Sequence, residues 1–134
     1  MNCTYTILDG VKTIGKSAFH ESTGLTSVVI PDTVTMIEMI AFYGCSGLTS
    51  ITIPAKVASI GDQAFIDCDN LKTVYFKGTT EPNCHYDTLD NSLCHGNSFC
   101  VNDDIPTDVV VYVPSGYTAD SDGFCKLTDV RENQ

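Results

Sequence analysis

The chain has no tryptophan and only 7 leucines among 134 residues, and its 7 Lys+Arg face 17 Asp+Glu. The resulting formal net charge of −10 excludes a surface built to neutralise a phosphate backbone, which needs clustered Lys and Arg. No nucleic-acid partner is expected. No apolar run approaches the roughly 18–20 residues that a spanning helix requires, so membrane insertion is not expected either. Met1 to Gly10 lack the basic stretch followed by an apolar one that marks a secretory signal, and a fragment or processed mature chain is therefore expected. Also missing are a Gly-x-Ser-x-Gly elbow, a phosphate-cradling Gly-rich loop and a His-Glu-x-x-His pair. No catalytic residue and no cofactor is expected, and the chain reads as a non-enzyme.

What is abundant points to strands. Val and Ile number 22 and Thr a further 16, a β-branched bias suited to a pleated, half-buried surface. The bias is periodic. Ile14, Ile37 and Ile60 recur every 23 residues, each followed by Ala-Phe at Ala18-Phe19, Ala41-Phe42 and Ala64-Phe65. Leu25, Leu48 and Leu71 keep the same interval, as do Val28, Ile51 and Val74, then Val11, Val34 and Val57, then Cys45 and Cys68. Ile7 lies 23 before Ile30, so the chain opens partway through a repeat.

One unit can be read physically. Leu48-x-x-Ile51-x-Ile53 alternates as a half-buried strand does, and Pro54 stops the ladder because it has no amide donor. Ile60, Ala64 and Phe65 then sit at helical spacing, which predicts a short helical turn beginning near Gly61-Asp62. A single unit cannot bury its own apolar side. Stacked units can, with a parallel sheet along one face.

The pattern Leu-x-x-Ile-x-Ile-Pro then Val-x-x-Ile-Gly-x-x-Ala-Phe-x-x-Cys, cleanest from Leu48 to Cys68, resembles the BspA-like (Treponema pallidum-type) leucine-rich repeats. The likeness covers residues 5–76; Glu38 stands where Gly is usual and Ser22 occupies the Cys column. The expected fold is an α/β repeat solenoid, a right-handed leucine-rich-repeat superhelix with a parallel sheet on one face and short helices or turns on the other. The resemblance implies a surface recognition or adhesion module, extracellular or on the cell surface, binding a protein or glycan ligand on a host or neighbouring cell. The alternative is an assembly module that self-associates through solenoid ends or edges. Val113-Pro114-x-x-Tyr117 and Phe124-Cys125 in the C-terminal part look most like protist members of the family.

One domain is expected overall, with repeats over 1–76 and a degenerate repeat plus Cys-rich insertion and cap over 77–134. Val113-Pro114 matches Ile53-Pro54, but Phe76 to Val113 spans 37 residues rather than 23. The charge is equally uneven: residues 1–80 hold 7 acids and 5 lysines, whereas 81–134 hold 10 acids and 2 bases. Cys45 and Cys68 sit in a repeat column and are expected to be small core residues. Cys84, Cys94, Cys100 and Cys125 fall in the irregular part, where bridges would help most. Cys94–Cys100 and Cys84–Cys125 are the favoured bridges, although four cysteines admit three pairings and spacing does not choose among them. Cys84-His85, Cys94-His95 and Cys100 carry zinc-type ligands at the wrong spacing, and Asp120-Ser-Asp122-Gly123 fails the EF-hand positions; no metal is expected.

Strand alternation places the candidate binding residues. Stacking aligns Thr4, Ser27, Ser50, Thr73 and Val110 in one outward column and Thr6, Val29, Thr52, Tyr75 and Tyr112 in another. The face is expected to be uncharged and hydroxyl-rich, with Ser27, Val29, Ser50, Thr52, Thr73, Tyr75, Val110 and Tyr112 as the binding set. Propensity alone accounts for exposed Thr and Ser; the tyrosines are what suggests a contact surface, together with the acidic cap.

Overall fold

The computed structural model describes residues 3–84, 108–118, 124–125 and 127–133. Its strands are β1 (Cys3–Thr6), β2 (Thr13–Ile14), β3 (Leu25–Val29), β4 (Met36–Ile37), β5 (Ser50–Ile53), β6 (Ser59–Ile60), β7 (Thr73–Phe76), β8 (Asn83–Cys84), β9 (Val110–Val113) and β10 (Asp129–Glu132). They form a parallel β-solenoid of about four coils. On the broad face β1 pairs with β3, and a second ladder runs β5, β7, β9, β10. The narrow face carries two-residue strands in the order β2, β4, β6, β8.

The register reproduces the repeat. Thr4 pairs with Ser27 and Tyr5 with Val28, Ser50 with Thr73 and Thr52 with Tyr75. Across the longer interval Thr73 meets Val110 and Tyr75 meets Tyr112. The narrow ladder runs past the point where the sequence period fades, since Ile60 pairs with Cys84, and a thiol replaces the isoleucine of that column.

Sequence periodicity predicted helical turns after each narrow strand; among the described residues there are none. The segment from Glu38 to Ser46 is a run of turns in which alternate amides point different ways. Ala41, Tyr43 and Cys45 N–H groups close local turns onto Glu38, Ile40 and Phe42 carbonyls at 3.2–3.3 Å. The intervening amides of Ile40, Phe42 and Gly44 donate instead to Asp62, Ala64 and Ile66 of the next coil at 2.7–3.0 Å. Positive φ recurs at Ser17, Ile40 and Gln63 and at Glu21, Gly44 and Asp67, which no α-helix tolerates. Once a neighbouring coil lies beside it, the backbone is satisfied between coils rather than within a helix.

Each proline corner closes the same way. Val34, Val57 and Tyr117 donate to the carbonyls of Pro31, Pro54 and Pro114 at 3.2 Å. Inside, like stacks on like: Phe19, Phe42 and Phe65 form a ladder with centroids 5.1 and 5.0 Å apart and nearly parallel rings. Cys45 and Cys68 are buried, and each thiol donates to a carbonyl of the preceding coil, Phe19 at 3.1 Å and Phe42 at 3.2 Å. The bond to Cys45, followed by burial, pushes the Cys68 thiol far above its ordinary range, so it stays protonated.

At the C-terminal end the ladder of identical residues gives way to a mixed cluster. Phe76 packs against Phe124 at 5.0 Å and edge-on to Tyr117 at 6.0 Å, and Phe124, Cys125 and Leu127 are fully buried. Cys84 is bridged to Cys125 with Cα atoms 5.5 Å apart, and the Cys125 amide donates to the Glu81 carboxylate at 2.6 Å. The strand-like run Val109 to Val113 reads in the sequence as a last, capping strand. Instead β10 adds a further one, Asp129 beside Val110 and Arg131 beside Tyr112.

Candidate functional site

The broad face brings the predicted residues together on neighbouring strands. Alternation sends Ile51, Val74 and Val111 inward and leaves Thr52, Tyr75 and Tyr112 on the outer surface. Ser27, Thr52, Thr73, Val110 and Tyr112 are half-buried, whereas Val29, Ser50 and Tyr75 are exposed. Tyr75 and Tyr112 stack with centroids 5.5 Å apart and an interplanar angle of 18°. Each ring thereby covers one face of the other. This fixes both side chains and lowers the ordering cost of any contact they make.

Two adjoining grooves occupy this surface. The larger, about 490 Å³, is lined by Thr52, Tyr75, Phe76, Lys77, Tyr112, Pro114, Ser115 and Asn133. The smaller, about 270 Å³, runs over β3 and β5 and is lined by Ser27, Val28, Val29, Ile30, Ser50, Ile51, Thr52 and Lys77. Thr52 and Lys77 border both. Thr73 and Val110 line neither, so the Ser/Thr column contributes only through Ser27 and Ser50.

The expectation of an uncharged face needs correction at two places. β10 brings Arg131 into the tyrosine column, held bidentate by Asp129 with both N–O distances at 2.9 Å. Asp129 chiefly, and more weakly the Tyr112 phenol, hold the Arg131 guanidinium charged, while Arg131 draws the Asp129 carboxyl below its usual range. Lys77 was also missed. Its column holds Pro31, Pro54 and Pro114, so the departure was present in the sequence.

The remaining candidates fall elsewhere. Among the predicted bridges Cys84–Cys125 is formed; Cys94–Cys100 lies outside the described residues, as do His85, His95, Asn102 to Asp104, and Asp120 to Gly123. The Glu81, Cys84 and Cys125 ligand atoms lie within 4.8 Å of one another. With both sulfurs joined to each other, no thiolate there is free to ligate a metal. Of the histidines, His20 is described: it is exposed and stacks on Tyr43 at 5.1 Å. No described helix is long and apolar enough to cross a membrane.

Comparison with known proteins agrees with this architecture. A family model described as BspA type leucine rich repeat region matches residues 2–92 in six copies. A solved leucine rich cell surface protein from the bacterium Faecalibacterium prausnitzii A2-165 is 27% identical, with a TM-score of 0.54 over 96% of this chain. This chain spans 41% of that protein's length. No curated protein matches.

Proposed function

The chain belongs to the BspA-type leucine-rich repeat family, and from that membership we propose that it is a non-enzymatic recognition or adhesion module, extracellular or on the cell surface. It binds a protein or glycan of a host or neighbouring cell through the broad strand face. The observation that carries this reading is the stacked Tyr75–Tyr112 pair, held in register at the rim of the larger groove. Tyrosine offers rigid amphipathic area at little entropic cost and is enriched at binding hot spots. The acidic part of the sequence, with 10 acids against 2 bases over 81–134, is the second element of the proposed contact surface. Presentation of several copies on one surface would add avidity.

Binding of the whole chain to extracellular-matrix proteins, glycans and host cells tests the proposal, with the double variant Tyr75→Ala, Tyr112→Ala as comparison. The variant is expected to keep its melting temperature and lose about tenfold or more in affinity, the scale of a hot-spot truncation. Unchanged affinity would refute the strand face as the site.

One observation favours a second reading, assembly through a solenoid end. At the N-terminal end a groove of about 210 Å³ is lined largely by apolar residues, including Tyr5 and Leu8, which are 53% and 78% exposed. Sedimentation velocity separates the two: a monomer at every concentration excludes assembly through this end.

A further inference from the structure

We infer that the strand face takes a carboxylated saccharide, its acid group on Lys77 and its sugar ring against Tyr75. This rests on the reading that the strand face is the binding surface, and names the ligand class.

Charge selects the acid group. Lys72 is paired with Asp108 at 2.7 Å and Arg131 with Asp129 at 2.9 Å. The exposed Lys77, like Lys12, Lys16 and Lys56, has no acidic partner among the described residues, and of these four it alone lines the strand-face grooves. No described Asp or Glu lines either groove, although the chain carries 17 of them. A cation without a counter-charge, at the boundary of two acid-free grooves, leaves an anion from outside as its complement. Its position in the fold is equally specific. Lys77 replaces proline in the corner column, and its amide donates to the Ile53 carbonyl at 3.0 Å, a bond that proline cannot offer. The corner is therefore held by the backbone, and the side chain is left for contact.

The lining favours a sugar over a peptide. Ser27, Ser50, Thr52 and Ser115 present hydroxyls, each of which both donates and accepts, as sugar hydroxyls require. Tyr112 covers one face of Tyr75; on the other side the register neighbour is the shorter Thr52, and the groove opens there. The C–H face of a pyranose fits against such a ring. A volume of about 490 Å³ lies within the range of small-ligand sites.

The test is titration of the whole chain, by calorimetry and amide NMR at low salt, with a uronic-acid disaccharide. Its carboxyl-reduced neutral counterpart and a capped glutamate tripeptide serve as comparisons. We expect the acidic disaccharide to bind and to shift Tyr75 and Lys77 amides. The neutral sugar and the Lys77→Gln variant should each be weaker by about tenfold, the scale of one hydrogen bond to a charged group. Lys77→Arg should retain binding, Lys72→Gln should leave it unchanged, and Tyr75→Ala should weaken it. Equal binding of the acidic and neutral sugars overturns the inference, as does indifference to Lys77→Gln, tighter binding of the peptide, or no saccharide binding. Each of those results leaves the strand-face reading intact, because that reading is judged by the double tyrosine variant on matrix and cell partners.

Discussion

A Cβ placed on Gly61 would come within 2.5 Å of the Met39 amide nitrogen in the preceding coil. The contact is with backbone, so no rotamer change relieves it. Here the Gly61 amide donates to the Ile37 carbonyl at 2.8 Å, and the coils are already at hydrogen-bonding separation.

Gly61→Ala should therefore destabilise the fold by about 2 kcal/mol, the range of overpacking a close contact. Urea denaturation monitored by far-UV circular dichroism measures it. At Gly15 a Cβ would meet no atom within 4 Å, and Gly15→Ala is the matched control that should cost little. Equal effects at the two positions would mean that coil-to-coil approach is not what Gly61 serves.

Gly61 was legible in the sequence as a repeat column because strand pairing enforces the 23-residue interval. The pairing of Tyr75 with Tyr112 was legible because Val113-Pro114 repeats Ile53-Pro54. The helical turn was misread for a physical reason. Ile60, Ala64 and Phe65 have helical spacing, but in the equivalent turns of the preceding coil alternate amides are claimed by the adjacent coil. Periodicity records burial rather than hydrogen-bond partners. Glu38 is a second instance: in a glycine column it looks like a defect, yet its carboxylate accepts the Lys16 amide at 3.2 Å. β10 left little trace, since Asp129–Glu132 has no apolar alternation of its own and is placed by β9. Lys77 was visible as a break in the proline column, and its meaning came only with the grooves on either side.

The Cys84–Cys125 bridge ties the last narrow strand to the buried Phe124–Leu127 cluster across 41 residues of sequence. A long closed loop makes a bridge effective, because cross-linking removes entropy from the unfolded chain. The double variant Cys84→Ala, Cys125→Ala should lose about 2–4 kcal/mol. Denaturant titration with limited proteolysis gives the readout, and cleavage should begin in the tail beyond Val113 while the N-terminal coils persist. A variant with wild-type stability and protease resistance would show that Phe124 and Leu127 hold the tail without help.

Asp129 supplies a pH dependence whose sign follows from its partner. Arg131 hydrogen-bonds the carboxylate and lowers its folded value below the ordinary carboxylate pKa of about 4. Lys72 lowers Asp108 in the same way. Groups depressed on folding stabilise above their unfolded pKa, and that contribution is lost as the pH falls through the folded value. Asp108 is exposed and Asp129 half-buried with its side chain still reached by solvent, so the effect is small and screened by salt. The melting temperature of the wild type should consequently fall more steeply below about pH 4 than that of Asp129→Asn, with the two curves converging in acid. High salt should shrink the gap. Parallel curves over the whole acid range would mean that the Asp129–Arg131 pair, which lies within β10, adds nothing to the stability of the folded chain.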